Sequence, residues 1–258
     1  MEDQLRSLAH KLKGTAVYYV KRLSTAETHA HNADKPLLAA SLIKLPILWE
    51  YFHQTSAGLL NPHETMTVPN ETIVGGMGVI NTLEPGLRLR YSDIARLMIV
   101  VSDNTATNLL IEKLGLASIT ATIQQLGMAQ TALQRNLMDY AARDRGLDNY
   151  ISAQDVGLLL EKIVRGDGLP PSACQEMLDI LHHQQMRSKL PALLPADTWI
   201  AHKTGEQTGT EHDAGIIRRD TETAVVVAMS NNLSSKPEGV AYCQQIGLTV
   251  YEHLAINI

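Results

Sequence analysis

The sequence predicts a mixed α/β (α+β) fold, in which an antiparallel sheet built from both chain ends is flanked by helices and an all-helical lobe is inserted. Three observations predict it. Residues 16–20 are β-branched and aromatic, strand-like runs return after residue 197, and the intervening stretch has helical periodicity with short loops. We therefore predict a sheet domain, 1–35 and 191–258, and a helical domain, 36–190, with the site in the cleft between them.

The first region predicts a helix followed by a hairpin. Three leucines in the first fourteen residues share one helical face: Leu5, Leu8 and Leu12. Ala16–Val20 predicts a strand, and the polar Ser24–Thr25 pair predicts the turn that leads to a second short strand.

Caps divide the middle region into helices. Ser92 is the predicted cap of an apolar helix, and Gly115 is the predicted end of the helix that follows. Ser152 and Asp155 predict a capping box for a later helix that stops at Gly166.

The last region returns to strands, and a helix closes the chain. The predicted strands are Thr198–Lys203, Asp213–Arg218 and Thr223–Ser230, and the helix runs from about Pro237 to Leu254.

Composition excludes several classes of function. The 258 residues are 45% apolar and 19% charged, with a net charge of −5, so general nucleic-acid affinity is not expected. No apolar run approaches the ~20 residues of a membrane helix, and two cysteines cannot form a disulfide framework. His182 and His183 are adjacent and face different directions, so we predict no metal and no cofactor.

The first residues lack a secretory signal; we expect a cytoplasmic protein as written, or a periplasmic or secreted one if the chain is a trimmed mature form.

Ser41 and Lys44 form the first candidate for chemistry. A spacing of three residues at a helix start puts both side chains on one face, near unpaired backbone N–H groups. Apolar neighbours would favour the uncharged lysine, which is a usable base. Pro46 predicts an irregular helix start. The alternative is a capped helix whose lysine extends to solvent.

Two further motifs follow along the chain. Ser102-Asp103-Asn104 lies after an apolar helix, where it predicts either a helix cap or a proton-relay serine beside a substrate-binding asparagine. Lys203-Thr204-Gly205 lies where a strand is predicted to meet a loop, and Gly205 allows another backbone to approach closely. The alternative for the latter motif is an edge-strand lysine and a plain glycine turn.

Ser-x-x-Lys, Ser-Asp-Asn and Lys-Thr-Gly in this order are the signature of class A β-lactamases and penicillin-binding proteins. The chain resembles that superfamily over nearly its whole length, and the resemblance implies the same sheet–helices–sheet fold. It implies that Ser41 is the nucleophile, that Lys44 accepts or relays its proton, and that Ser102 protonates the leaving nitrogen beside Lys203. The implied substrate-binding residues are Asn104, Thr204, Gly205 and Glu206; the backbone N–H groups of Ser41 and Glu206 would form the oxyanion hole.

One loop departs from the family pattern. Class A β-lactamases carry Arg-x-Glu-x-x-x-Asn there, and this glutamate activates the water that releases the acyl group. If Arg135 is the family's arginine, Leu137 takes the place of the glutamate and Ala141 that of the asparagine. Asp139 is the only nearby carboxylate and the one candidate for deacylation; Asp148 is a candidate ion-pair partner of Arg135.

The resemblance therefore predicts acylation and leaves turnover open. The leading hypothesis is β-lactamase-like hydrolysis with slow deacylation. The alternatives are a D-Ala-D-Ala carboxypeptidase or esterase of penicillin-binding type, and a penicillin-recognising sensor. Glu206 and Glu211 would weaken binding of an anionic substrate, and either Arg187 or Lys189 is the candidate basic helper. The expected partner is a small β-lactam or peptidoglycan-like substrate, and the expected state is a monomer.

Overall fold

The computed structural model describes residues 1–255, and it confirms the predicted fold class. In chain order the helices and strands are α1 (Glu2–Lys11), β1 (Thr15–Arg22), β2 (Thr28–His31), β3 (Leu37–Leu38), α2 (Lys44–Ser56), β4 (Thr65–Thr67), β5 (Arg88–Arg90), α3 (Tyr91–Val100), α4 (Asn104–Leu114), α5 (Leu116–Gln125), α6 (Tyr140–Asp144), β6 (Tyr150–Ile151), α7 (Ala153–Arg165), α8 (Pro171–His182), β7 (Ile200–Gln207), β8 (Thr210–Arg219), β9 (Glu222–Asn231) and α9 (Lys236–His253). Three 3₁₀ turns lie at Ala40–Ile43, Asn70–Thr72 and Ile80–Thr82.

Both chain ends contribute to one antiparallel sheet with the strand order β2-β1-β9-β8-β7. Val17 of β1 lies opposite Met229 of β9, and Lys203 of β7 lies opposite Ala214 of β8. Because β7 is the last strand in this order, its outer edge is available to the elements around Ser41. The exact residues at which the sheet and helical domains divide stay a prediction.

Each face of the sheet is covered, which explains why β8 and β9 are almost entirely buried. Helices α7 and α8 pack on one face, and α1 and α9 on the other. Val225 and Val227 accordingly belong to the larger apolar core, whereas Val226 belongs to the smaller core under α9. This alternation is the period of two expected for a strand between two apolar layers.

The predicted cap at Ser92 is wrong. Helix α3 begins one residue earlier, and its first turn is closed by Arg90 and Asp93, which bond to each other through both backbone and side chain. The predicted cap at Ser152 is confirmed, since its Oγ accepts a hydrogen bond from the Asp155 N–H at 3.1 Å. The Asp155 carboxylate does not complete the box; it bonds to the loop before α6.

The strands are longer than predicted. Strand β7 continues to Gln207, so Lys203-Thr204-Gly205 lies inside the strand and not at its end. A sheet edge is stiffer than a loop, and all three residues are held by their pairing with β8. Of the helices described in residues 1–255, none is long and apolar enough to span a bilayer.

Candidate active site

Ser41 lies in the 3₁₀ turn that feeds α2, which is the irregular start predicted from Pro46. Ala40, directly before it, has a φ of +44°, a left-handed conformation that costs free energy in any residue with a Cβ. Strand β7 packs against this turn. A Cβ on Gly205 would lie 3.4 Å from the Ala40 Cβ and 3.2 Å from His212, so the glycine permits the close approach that the sequence predicts.

Lys44 lies one turn after Ser41 and is fully buried. Its Nζ donates to the Ser102 carbonyl at 2.7 Å and to Asn104 Oδ1 at 2.9 Å, and it lies 3.1 Å from Ser102 Oγ. The lysine therefore does not extend to solvent, and the structure brings the first two motifs together.

Ser102 lies between two lysines. Lys203 Nζ is 2.9 Å from Ser102 Oγ and donates to the Thr204 carbonyl at 2.7 Å. Ser102 itself has a φ of +54°, so it is a second residue at the site, after Ala40, with a left-handed backbone conformation. The hydroxyl thus connects Lys44 of the helical region with Lys203 of the sheet.

Burial lowers the pKa of both lysines. The pKa of Lys44 lies well below its ordinary value, because of desolvation and the nearby charge of Lys203. Desolvation also lowers the pKa of Lys203 to about 7, with Asp213 acting in the opposite direction. A neutral Lys44 has two N–H bonds and one lone pair. If the N–H bonds point at the Ser102 carbonyl and Asn104, the lone pair remains free to take a proton.

Asp103 fixes the segment at Val79 and Ile80 beside the site. Its Oδ1 accepts the Ala106 N–H and caps α4, while its Oδ2 accepts the N–H groups of Val79 and Ile80. A Cβ on Gly78 would collide with this carboxylate at 2.3 Å. The capping interpretation of the Ser-Asp-Asn motif is therefore correct for Asp103, and the cap also fixes the preceding loop against the site.

Asn104 attaches the same loop to Lys44. Its backbone N–H donates to the Met77 carbonyl at 2.9 Å and its Nδ2 to the Gly75 carbonyl at 3.1 Å. Because Oδ1 accepts from Lys44, one side-chain N–H remains for a ligand. That is compatible with the predicted contact to a substrate amide.

Two cavities meet at Ser41. The larger has a volume of about 280 Å³ and the smaller of about 50 Å³. The larger is lined by Ala40, Ser41, Gly76, Met77, Asn104, Arg135, Leu137, Met138, Tyr140, Arg143, Glu206, Gln207 and Thr208. The smaller is lined by Ser41, Met77, Ser102, Met186, Ser188, Lys189, Thr204 and Glu206. Ser41, Ser102, Thr204 and Glu206 therefore share one space.

Leu137 lines the larger cavity. Asn108 fixes its backbone at both ends, accepting its N–H at 2.8 Å and donating to its carbonyl at 3.0 Å. The Arg135–Asp148 ion pair expected from the sequence closes this loop, with a distance of 2.7 Å. Within the described part of the chain, Glu206 is the only carboxylate that lines this cavity, and it pairs with Lys236.

Asp139 is placed elsewhere. Its Oδ1 caps α6 by accepting the Ala142 N–H at 2.9 Å. The residue lines a neighbouring cavity, with Glu71 and Glu112, and does not line either of the cavities that contain Ser41. The structure therefore does not bring the one candidate for deacylation to the nucleophile.

Several lining residues carry no sequence signal. Met77 and Met138 have the side chains of core filler, and only the folded chain reveals that they border Ser41. Of the two candidate basic helpers, Lys189 lines the smaller cavity. His202 is buried and bonds to Asp213 at 2.9 Å, a structural role. Within residues 1–255, no group of three or more His, Cys, Asp or Glu side chains is arranged to hold a metal.

Comparison with known proteins agrees with this geometry. The model of the β-lactamase enzyme family matches residues 1–254. The chain belongs to this family. A curated relative, the extended-spectrum β-lactamase PER-1 of Pseudomonas aeruginosa, is 25% identical over 98% of this chain and 86% of its own length.

Solved structures give the same result. A β-lactamase from Sphaerobacter thermophilus is 27% identical with a TM-score of 0.91, covering 98% of this chain and 95% of that one. PBP-A is 29% identical with a TM-score of 0.90, covering 98% and 94%. The β-lactamase family member thus has the fold and motifs of a class A-type serine hydrolase.

Proposed function

We propose that this β-lactamase family member forms an acyl-enzyme at Ser41 by opening the amide of a β-lactam, and releases the acyl group slowly. One observation carries the proposal. The buried Lys44 and Lys203 are both within hydrogen-bond distance of Ser102, which borders the same cavity as Ser41. Leu137, in contrast, lines the cavity where a base for water would be needed.

Acylation uses Ser41, which lies one turn before Lys44, and the hydrogen-bonded groups around Ser102. Neutral Lys44 takes the proton of Ser41, and the resulting alkoxide attacks the lactam carbonyl. The backbone N–H groups of Ser41 and Glu206 stabilise the oxyanion. Ser102 gives its proton to the leaving nitrogen, and Lys203, 2.9 Å away, stabilises the hydroxyl oxygen as it becomes negative. Lys44, 3.1 Å from the same oxygen, returns to it the proton taken from Ser41. The carbon–nitrogen bond breaks and a serine ester remains.

Deacylation lacks a comparable group. Leu137 has no atom that binds or polarises water, and Asp139 is occupied as the cap of α6. Glu206 is the carboxylate that lines the larger cavity within the described residues, and its side chain is paired with Lys236. Water therefore attacks the ester without a dedicated base. A general base would accelerate this attack by about 10²–10⁴-fold.

A second candidate is a peptidase or esterase of penicillin-binding type, with trapping of penicillin as a side reaction; a penicillin sensor would also acylate and wait. The similarity to PBP-A supports this second candidate. An L158E mutant of PBP-A was solved as an acyl-enzyme complex with penicillin G; this chain is 28% identical to it, with a TM-score of 0.89.

A chromogenic cephalosporin tests the proposal. We expect a burst of about one product per chain followed by a slow steady rate, because acylation outruns release. The Ser41→Ala variant should show neither phase. Sustained rapid turnover without a burst would contradict slow deacylation, and an unchanged reaction in Ser41→Ala would contradict the assigned nucleophile.

A further inference from the structure

The smaller cavity beside Ser41 has a lysine in its wall that no step above uses. Lys189 lies beside Ser41, Ser102 and Thr204 in this lining, and its side chain is only 2% exposed. An ammonium group in such a place would bind an anionic group of a substrate held at Ser41.

Three oxygens already surround the Lys189 ammonium. Its Nζ donates to the Gly205 carbonyl at 2.8 Å and to the His212 carbonyl at 3.1 Å, and it lies 2.6 Å from Glu211 Oε2. An ammonium has three N–H bonds, and two of them go to these carbonyls. The third faces Glu211 Oε2, which attracts it by charge although this oxygen makes no hydrogen bond within the described residues.

Glu211 also cancels the charge. It lies on β8 directly opposite Glu206 of β7, and its side chain is as buried as that of Lys189. Little water screens such a pair, so its two charges offset each other for any group in the cavity. The one acid among the described residues that line this cavity, Glu206, is paired with the exposed Lys236.

We propose that Glu211 is a specificity-determining residue: by holding Lys189, it keeps this lysine from attracting an anionic group of the acyl donor, so the subsite next to Ser41 discriminates less between anionic donors and neutral esters or amides than it would with an unpaired lysine. The inference rests on the proposed function, because it concerns the substrate of the same serine. It concerns the contribution of Lys189 alone and leaves that of Lys203, 2.9 Å from Ser102 Oγ, unchanged.

Benzylpenicillin and its methyl ester form a matched pair of probes, since they differ only in a free or a blocked carboxylate. We define the acid preference as the ratio of their second-order rate constants for acylation, measured by intact-mass spectrometry. Glu211→Gln keeps the shape of the side chain and frees the charge of Lys189. The acid preference should rise at least tenfold in this variant, through faster acylation by the free acid and an unchanged rate with the ester.

The double variant Lys189→Gln/Glu211→Gln provides the neutral reference. Its acid preference should equal that of the wild type within about threefold, because the native pair already has no net charge. A wild type that exceeds the double variant tenfold would show that Lys189 is available to the substrate, and would overturn the inference. This comparison decides the question even if a lone buried Lys189 prevents Glu211→Gln from folding.

Failure of the proposed function gives a different result. If the wild type forms no adduct with either probe, the β-lactam reaction is wrong. The inference is then tested by calorimetric binding of the same two compounds to Ser41→Ala, with and without Glu211→Gln. A tenfold gain in affinity for the free acid alone supports it. Equal binding in both backgrounds overturns it.

Discussion

The two sides of the cleft at Ser41 are built differently. We call the side that contains Lys44, Ser102 and Lys203 the lysine wall, and the side formed by the loop around Leu137 the loop wall. On the lysine wall, Ser102 Oγ lies within 3.1 Å of two buried amines, and the strained backbones of Ala40 and Ser102 are held by packing and hydrogen bonds. On the loop wall, Leu137 faces the cavity and two acids of the same loop are used for structure: Asp139 caps a helix and Asp148 pairs with Arg135. Under the proposed function, this difference means that forming and hydrolysing the acyl-enzyme depend on separate parts of one fold.

Removing the base of the lysine wall should have the largest effect. Lys44→Met should slow acylation by penicillin about 10²–10⁴-fold, because the proton of Ser41 then has no acceptor. The measurement is the rate of adduct formation by mass spectrometry. Lys113→Met, which removes a lysine from the surface of α4, is the control and should acylate normally. Normal acylation by a folded Lys44→Met variant would remove the distinction between the walls.

Adding a base to the loop wall should have the next largest effect. Leu137→Glu should shorten the life of the acyl-enzyme about tenfold or more, while acylation stays within a few-fold of wild type, because a carboxylate there can polarise a water. Leu137→Gln has the same length and no basic carboxylate, so it should not accelerate release. Equal acceleration by both variants would instead indicate a change in packing or water access.

The lysine wall should also affect stability with pH. The folded pKa of Lys203, about 7, lies below the ordinary value of 10.5, so between these values the unfolded chain binds a proton that the folded chain does not. Stability of the wild type relative to Lys203→Met should therefore rise from pH 7 to 10, by up to about 1.4 kcal/mol per unit. Urea unfolding measures this difference. A difference that is constant with pH would mean that Lys203 keeps its proton.

The smallest effect should come from Asp139. Asp139→Ala should lower the free energy of unfolding by about 1 kcal/mol through loss of the α6 cap, and leave the acyl-enzyme lifetime unchanged. Asp139→Ser keeps a capping oxygen and should recover part of that stability. A longer acyl-enzyme lifetime in Asp139→Ala would return this residue to the deacylation machinery.

Much of the lysine wall was predictable, because its three motifs are short and local. The hairpin, the sheet formed from both chain ends and the Ser152 cap follow from spacing and capping residues in the same way. The interior position of Lys203 in β7 was not predictable, since strand length depends on pairing with β8. Nor was the exact start of α3, because Arg90 and Asp93 close its first turn instead of Ser92.

Long-range pairing explains what the sequence left open. Lys189 and Glu211 are far apart along the chain, and only the folded sheet brings their charges within 2.6 Å. The choice between Arg187 and Lys189 likewise depends on which side chain turns into the cavity. The positions of Met77 and Met138 depend on how two loops fold over Ser41, for which apolar periodicity carries no information.

The lifetime of the acyl-enzyme tests the central claim most directly. The protein is incubated with penicillin, excess drug is removed, and the mass of the chain is followed over time. We predict one penicilloyl group per chain, absent in Ser41→Ala, that persists for minutes or longer. A wild type that never gains this mass, or that loses it within the dead time of the measurement, would contradict the account.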